Sequence, residues 1–403
     1  MSPRRRLAVV VLSFVALGMP PAAFGVAWPS VAAELGRGIG DLGTAAGVYA
    51  LGFFAITAVA GSIIERIGVG IMLVSAGWVA TVSLLGYTSG RSWSALLVAA
   101  FVLGASGGAF DAGINAFAAL ELDARALNLL HAGYGVGATI GPWMMTAAVA
   151  STGFGWRLGM AAVAGLAGVV AIVLTATWRT WALTPHVVEQ SAEVKAGPGL
   201  VVAALALFFV YTGVELVAGQ YAFTFLSEGR GVPVATAGLA AGGFWLGLTI
   251  SRMLLGVVGG RFSGNRLLAG ATGLTVVAMT VLWWSPVEWV GPAALLLAGL
   301  ALGPIFPLHI ALTPGRVGRS ATARMIGYQI AAANLGAASL PWLTGRAVDR
   351  VGLSFIGPAL AVGAVVLLVS DRVVRTMSGP GTGTRRTKAE PGRPRQGWPP
   401  ISG

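Results

Sequence analysis

Gly61-Ser-Ile-Ile-Glu65-Arg66-Ile-Gly68 and Gly256-Val-Val-Gly-Gly260-Arg261-Phe-Ser263 each place a glycine five residues before an arginine, and each follows the second long apolar run of its half of the chain. A repeat of that period is what a transporter built from two related halves would carry. The surrounding apolar runs are about 18 to 25 residues long, enough for a helix to cross a hydrocarbon core of about 30 Å. The chain is 56% apolar and 10% charged, with a mean hydropathy of +0.81. A soluble domain has about a quarter of its residues charged. An all-α integral membrane protein is therefore expected, with about twelve spans near 7–29, 44–64, 70–88, 94–119, 128–150, 158–178, 199–226, 233–257, 266–284, 289–311, 322–343 and 351–370.

The chain divides near its middle. Residues 179–198 form the longest polar stretch between spans, with His186, Glu189, Glu193 and Lys195 flanked by Pro185 and Pro198. This reads as a cytoplasmic linker between six-helix bundles at 1–178 and 199–377. From Ser378 the composition turns to Gly, Pro, Thr and Arg, too poor in apolar residues to pack, so 378–403 is expected to be a disordered basic tail. Of 26 Lys and Arg residues, 19 fall on the side of the N-terminus, 6 on the other, and Arg252 lies inside a span. Cytoplasmic loops carry that excess, which places both termini in the cytoplasm. The net charge of +12 is then mostly topology, and nucleic-acid binding is not expected. Arg4-Arg5-Arg6 before an apolar run could open a secretory signal, but the run is long and holds Pro20 and Pro21, so a retained first helix is expected. The excess of Arg over Lys, with abundant Ala and Gly, suggests a bacterial protein of the cytoplasmic membrane.

Several function classes are excluded. The chain has no cysteine, hence neither disulfides nor thiolate metal sites. It has no phosphate-cradling Gly-x-x-x-x-Gly-Lys-Ser/Thr loop, no His cluster with metal spacing and no extramembrane segment large enough for a catalytic domain. Neither an enzyme nor a cofactor is expected. The expected partners are a small-molecule solute, protons and the lipid bilayer, with the protein acting as a monomer.

Of fourteen acidic residues, twelve fall in loops or at the ends of apolar runs, and Asp111 and Glu215 sit deep within them. A carboxyl group there is costly unless it lines a watery path, meets a cation or carries a proton. Asn115, four residues after Asp111, shares its helical face, and Gly107 and Gly108 one turn earlier leave room for a ligand or a close helix. Glu215 is followed by Gln220 and Tyr221, groups suited to a hydroxyl-rich ligand. Tyr134, Trp245, Gln329 and Asn334 are further substrate-binding candidates, although an aromatic in a membrane helix is usually packing or an interfacial anchor. His131 could shuttle protons, or simply make an interhelical hydrogen bond. His309 has a weaker case, and Arg252 could snorkel to the interface or pair with a carboxylate.

The first loop resembles the signature of the major facilitator superfamily, with Gly61, Glu65, Arg66 and Gly68 at matching positions and the trailing basic pair missing. The resemblance implies a conformational latch, with Arg261 as its counterpart; the alternative is a tight loop with a positive-inside arginine. Gly107-Gly-Ala-Phe-Asp111-Ala-Gly-Ile-Asn115 and Asn128-Leu-Leu-His131-Ala-Gly-Tyr134 resemble the fucose:proton symporter branch. So do Tyr211-Thr-Gly213-Val-Glu215, Gly303-Pro304-Ile-Phe-Pro307 and Gly327-Tyr328-Gln329 through Asn334 to Pro341, which are also similar to sugar-permease-like relatives. That likeness implies proton coupling through Asp111, with Glu215 and His131, and uptake of a sugar or similar solute. Gly137-x-x-x-Gly141-Pro142 matches half of a drug:proton antiporter motif and is equally explained by small-residue helix packing. Proton-driven export of a drug or metabolite is the close alternative, and a non-transporting scaffold or sensor the alternative of another class.

Overall fold

The computed structural model describes residues 1–121, 124–150, 155–181, 196–258, 262–284, 288–318 and 321–378. Most of the expected linker (182–195), Arg261 and the tail beyond Ser378 lie outside the described residues. The first half holds α1 (Pro3–Leu35), α2 (Asp41–Ser89), α3 (Trp93–Glu121), α4 (Ala124–Ala150) and α5 (Gly155–Thr177). The second holds α6 (Pro198–Arg230), α7 (Val234–Val258), α8 (Gly264–Trp284), α9 (Val290–Leu302), α10 (Ile305–Val317), α11 (Thr322–Val351) and α12 (Ile356–Met377).

Nine helical stretches among the described residues are long and apolar enough to cross a membrane. One of them, α2, runs for 49 residues, roughly 74 Å at about 1.5 Å per residue, and carries two spans. It turns at Gly68, whose φ of 77° and ψ of 157° lie where a Cβ is not tolerated. Span 10 is α9 and α10 together, broken at Gly303-Pro304. With α4 and α11 the spans number twelve, in two six-helix bundles.

Close backbone approach holds the first bundle together. Gly133, Gly137 and Gly141 of α4 lie against the backbone at Val11, Val15 and Met19 of α1, so both helices meet along stripes of four-residue spacing. Gly104 and Gly108 of α3 lie likewise against Tyr49 and Phe53 of α2. The glycines at 137 and 141 thus serve helix packing, and Gly108 makes room for a helix. Gly107 lies beside the Tyr49 hydroxyl and Leu17.

In the second bundle the structure adds a third deep carboxylate. The sequence reading ends span 12 at residue 370, but α12 continues to Met377 and Asp371 is 0% exposed. Arg375, one turn on, reaches its Oδ2 at 2.7 Å through Nη2 and 2.9 Å through Nε. His309 of α10 places Nε2 3.2 Å from Oδ1, and Thr272 of α8 lies 3.5 Å from Oδ2. Arg316 donates to His309 Nδ1 at 3.0 Å, which leaves the ring proton on Nε2, facing the carboxylate. Phe208 of α6 packs its ring edge-on to His309. Arg375 holds Asp371 Oδ2, while Oδ1 and His309 Nε2 face each other without a hydrogen bond, and the knot ties α8, α10 and α12 together.

Two stability outcomes follow, each read by thermal unfolding of the purified protein. Gly68→Ala is expected to destabilise by about 1–3 kcal/mol, the cost of forcing a side chain into that backbone region. Asp371→Ala is expected to cost about 3–5 kcal/mol, because it leaves buried cationic groups without their carboxylate.

Candidate functional site

The two halves meet along α4 and α7, between α2 and α11, and between α1 and α6. Along the first of these, Gly135 lies against Thr249, Gly238 against Thr146 and Gly242 against Trp143, whose indole N–H donates to the Leu239 carbonyl at 3.2 Å.

Arg252 of α7 organises a polar cluster on the second-half side. Its Nη2 lies 3.4 Å from Glu215 Oε2 and 3.3 Å from the Tyr211 hydroxyl, and its Nε donates to the Gly303 carbonyl at 3.3 Å. Local sequence explains the last contact. The helical partner of the Gly303 carbonyl would be the amide of residue 307, which is proline and has none. Tyr211 in turn donates to the Leu302 carbonyl at 3.2 Å. Of the two fates open to Arg252, the structure gives pairing with a carboxylate. Glu215 is 9% exposed, while the Arg252 side chain is 34% exposed.

On the first-half side, Asn115 Nδ2 donates to Asp111 Oδ1 at 3.0 Å, and both side chains are half-buried. Among the described residues no cation pairs with Asp111. Tyr134 of α4 stands within electrostatic reach of Asp111, Glu215 and Arg252. His131, one turn earlier, is exposed, faces the field of Arg252 and packs its ring edge-on to Phe14 at 5.7 Å. Asp111, Asn115, His131, Tyr134 and Glu215 therefore share one neighbourhood, which also holds Tyr211 and Arg252.

The other candidates lie elsewhere. Tyr221 is buried near the α1–α2 connection, with its hydroxyl 3.4 Å from the Gly40 carbonyl and 3.3 Å from that of Pro341. Gln220 is buried beside a small cavity lined also by Pro20, Phe24, Ala46 and Tyr49, and its Oε1 has no hydrogen-bond partner. Trp245 packs on Gly219, with its Nε1 also unpartnered. Gln329 points into the second bundle, accepting from Thr313 Oγ1 at 3.2 Å. Asn334 is half-buried on the stripe of α11 that continues, four residues on, to Ala338, a neighbour of Gly47 in α2. Of the latch residues, Gly61, Glu65, Arg66 and Gly68 are exposed, and neither Glu65 nor Arg66 makes an ion pair or side-chain hydrogen bond among the described residues; Arg261 lies outside them.

Sequence reading missed the Asp371 knot and a charged group at the α1–α2 end, where Arg37 pairs with Asp41 at 2.9 Å and Arg346 lies 3.9 Å from Asp41 and 3.8 Å from Asp349. The spacing Asp371 to Arg375 was a legible signal for the first. Arg37 to Asp41 and Arg346 to Asp349 carried the same signal within each half, but nothing local pointed to their meeting.

Residues 7–204 and 203–401 each match the family described as Major Facilitator Superfamily. A curated relative, Bypass of stop codon protein 6 of Saccharomyces cerevisiae, is 25% identical over 178 residues, 41% of this chain and 35% of its own length, so the chain spans about a third of that protein. Three solved structures share the architecture. A D-xylose-proton symporter superposes with a TM-score of 0.70 at 14% identity, covering 90% of this chain and 96% of its own. The nucleoside transporter NupG gives 0.68 at 13%, covering 92% and 99%. A bacterial homologue of the human lysosomal transporter Spinster, inward-facing and unoccupied, gives 0.67 at 14%, covering 94% and 96%. At these identities the likeness is one of fold, and it agrees with the twelve spans and the paired halves. Both halves match the same family over nearly the whole length, and the chain belongs to the Major Facilitator Superfamily.

Proposed function

We propose that the chain is a secondary transporter that moves a small polar solute, a sugar or a compound of similar hydroxyl content, by alternating access coupled to protons. The observation that carries this reading is the contrast between the two carboxylates deep in the spans, Asp111 and Glu215. Glu215 is compensated by Arg252, whereas Asp111 has only the Asn115 amide. A half-buried carboxyl group without a cation is suited to taking up and releasing a proton, or to meeting a charged ligand. Asn115, Tyr134 and Asn334 offer amide and phenol groups to a solute, and the unpartnered Gln220 Oε1 and Trp245 Nε1 offer more. The likeness to a xylose symporter and a nucleoside transporter supports a hydroxyl-rich solute.

In this reading the halves 1–178 and 199–377 move against each other around the linker 179–198, with both termini in the cytoplasm of a bacterium and a single chain as the working unit. Glu65 and Arg66, with Arg261, latch the cytoplasmic mouth in the alternate state, which accords with Glu65 and Arg66 being unpaired among the described residues. Glu215 acts as the counter-charge of Arg252, and Gln329 shapes the second bundle from within.

The test is ligand-induced thermal stabilisation of the purified protein across sugars, polyols, nucleosides and hydrophobic cations, at several pH values, beside Asp111→Asn. The expected result is a sugar-class hit whose stabilisation changes with pH in the wild type and is flat in Asp111→Asn. Hits confined to hydrophobic cations would replace uptake by export, and an undiminished pH response in Asp111→Asn would remove the coupling role from Asp111.

A further inference from the structure

At the end of the molecule that carries the α1–α2 connection, the halves are tied by a group that the cleft chemistry does not use. The Asp349 carboxylate, near the C-terminus of α11, accepts the Gly40 amide at 2.9 Å. Gly40 is the N-cap position of α2, so a side chain from the second half satisfies one of the free amides that open a helix in the first. A carboxylate at a helix N-terminus also meets the positive end of its dipole. Backbone contact enforces the fit. A Cβ at Gly40 would strike the Gly345 carbonyl and the Asp349 side chain, a Cβ at Gly345 would strike the Gly40 carbonyl, and a Cβ at Gly43 the Pro341 carbonyl. Arg346 adds its contacts to Asp41 and Asp349, Arg37 holds Asp41, and the Tyr221 hydroxyl sits against both Gly40 and Pro341. The stripe that α11 shows to α2 at this end continues towards the other end through Asn334 and Ala331, half-buried residues that make no side-chain hydrogen bond to the first half among the described residues.

We infer that the Asp349 cap on α2, steadied by the Arg346–Asp41 pairing, is a releasable clasp that seals the α1–α2 mouth of the cleft and selects the state open at the opposite end. This rests on the alternating-access reading and adds the residues that set its resting balance. A cap between bundles suits the task, since one hydrogen bond on a helix end is broken by a small separation of α2 from α11, and the freed amide and carboxylate then meet water. Glu65 and Arg66 are exposed and unpaired while the clasp is made, the pattern expected of two closures that alternate.

The chain has no cysteine, so single reporters can be placed cleanly. Ala46→Cys lies buried beneath the clasp, and Ala331→Cys lies on the open stretch of α11. Labelling of each by a water-soluble maleimide is measured in the full-length protein in lipid nanodiscs, with Asp349 intact, as Asp349→Asn and as Asp349→Ala. Asp349→Ala is expected to raise labelling at Ala46→Cys by about tenfold, the equilibrium factor for losing one charge-assisted hydrogen bond, and to lower it at Ala331→Cys. Asp349→Asn, which keeps an acceptor for the Gly40 amide, should fall between. Faster labelling at both reporters would mean general loosening, and unchanged labelling at both would mean that the cap does not hold the mouth; either overturns the clasp. Ligand stabilisation of the wild type is unaffected by that failure and remains the separate test of transport.

Discussion

In hydrocarbon, a charge or a backbone polar group that lacks a partner inside the protein has no water to turn to. Arg252 shows how this constraint shapes the fold. Its guanidinium binds a carboxylate, a phenol and the carbonyl that Pro307 leaves free, and so brings α6, α7 and the break in span 10 to one point. The break, the tyrosine and Glu215 are then parts of a single arrangement. The Asp371 knot is the same solution a second time, with two arginines and a histidine around one carboxylate. Asp111 departs from the pattern, and for that reason the proposed proton coupling is placed on it.

The charges also divide by what they join. Arg375, Arg316, His309 and Asp371 all belong to the second half and hold its helices to one another. Asp349, Arg346, Asp41 and Gly40 bridge the halves and lie at one end only. Buried pairs within a half stiffen the body that moves, and their desolvation leaves little room for exchange with water. A partly exposed pair between halves contributes less, about 0–1 kcal/mol, and is correspondingly easy to make and break.

Much of this was legible in the sequence. Membrane class, the number of spans and the two halves followed from apolar runs and the Gly-x-x-x-x-Arg repeat, because hydropathy acts through length, which sequence preserves. The grouping of Asp111 with Asn115 followed from a four-residue spacing. Asp371 was missed because Ser370-Asp371-Arg372 reads as the edge of an apolar run, whereas the helix continues and its charges are neutralised inside the bundle. Gln329 shows the limit of the method. A lone amide in an apolar helix signals a polar purpose but not a direction, and this one turns to Thr313. The Asp349 cap joins residues 309 positions apart, and no local pattern announces a hydrogen bond between one helix's end and another's start.

The seam between α4 and α7 has a mechanical meaning. Along it the side chains of Thr249, Thr146 and Trp143 seat on glycines of the opposite helix, so each helix sets knobs into holes that the other leaves. A threonine knob is short and leaves its hole on a slight tilt of one helix, whereas the long Trp143 indole stays engaged. The seam can therefore serve as the spine of a book: both covers stay bound to it while the pages open at either edge, and the width of the opening is set by how far the helices can tilt while Trp143 keeps its hold on Gly242 and the Leu239 carbonyl.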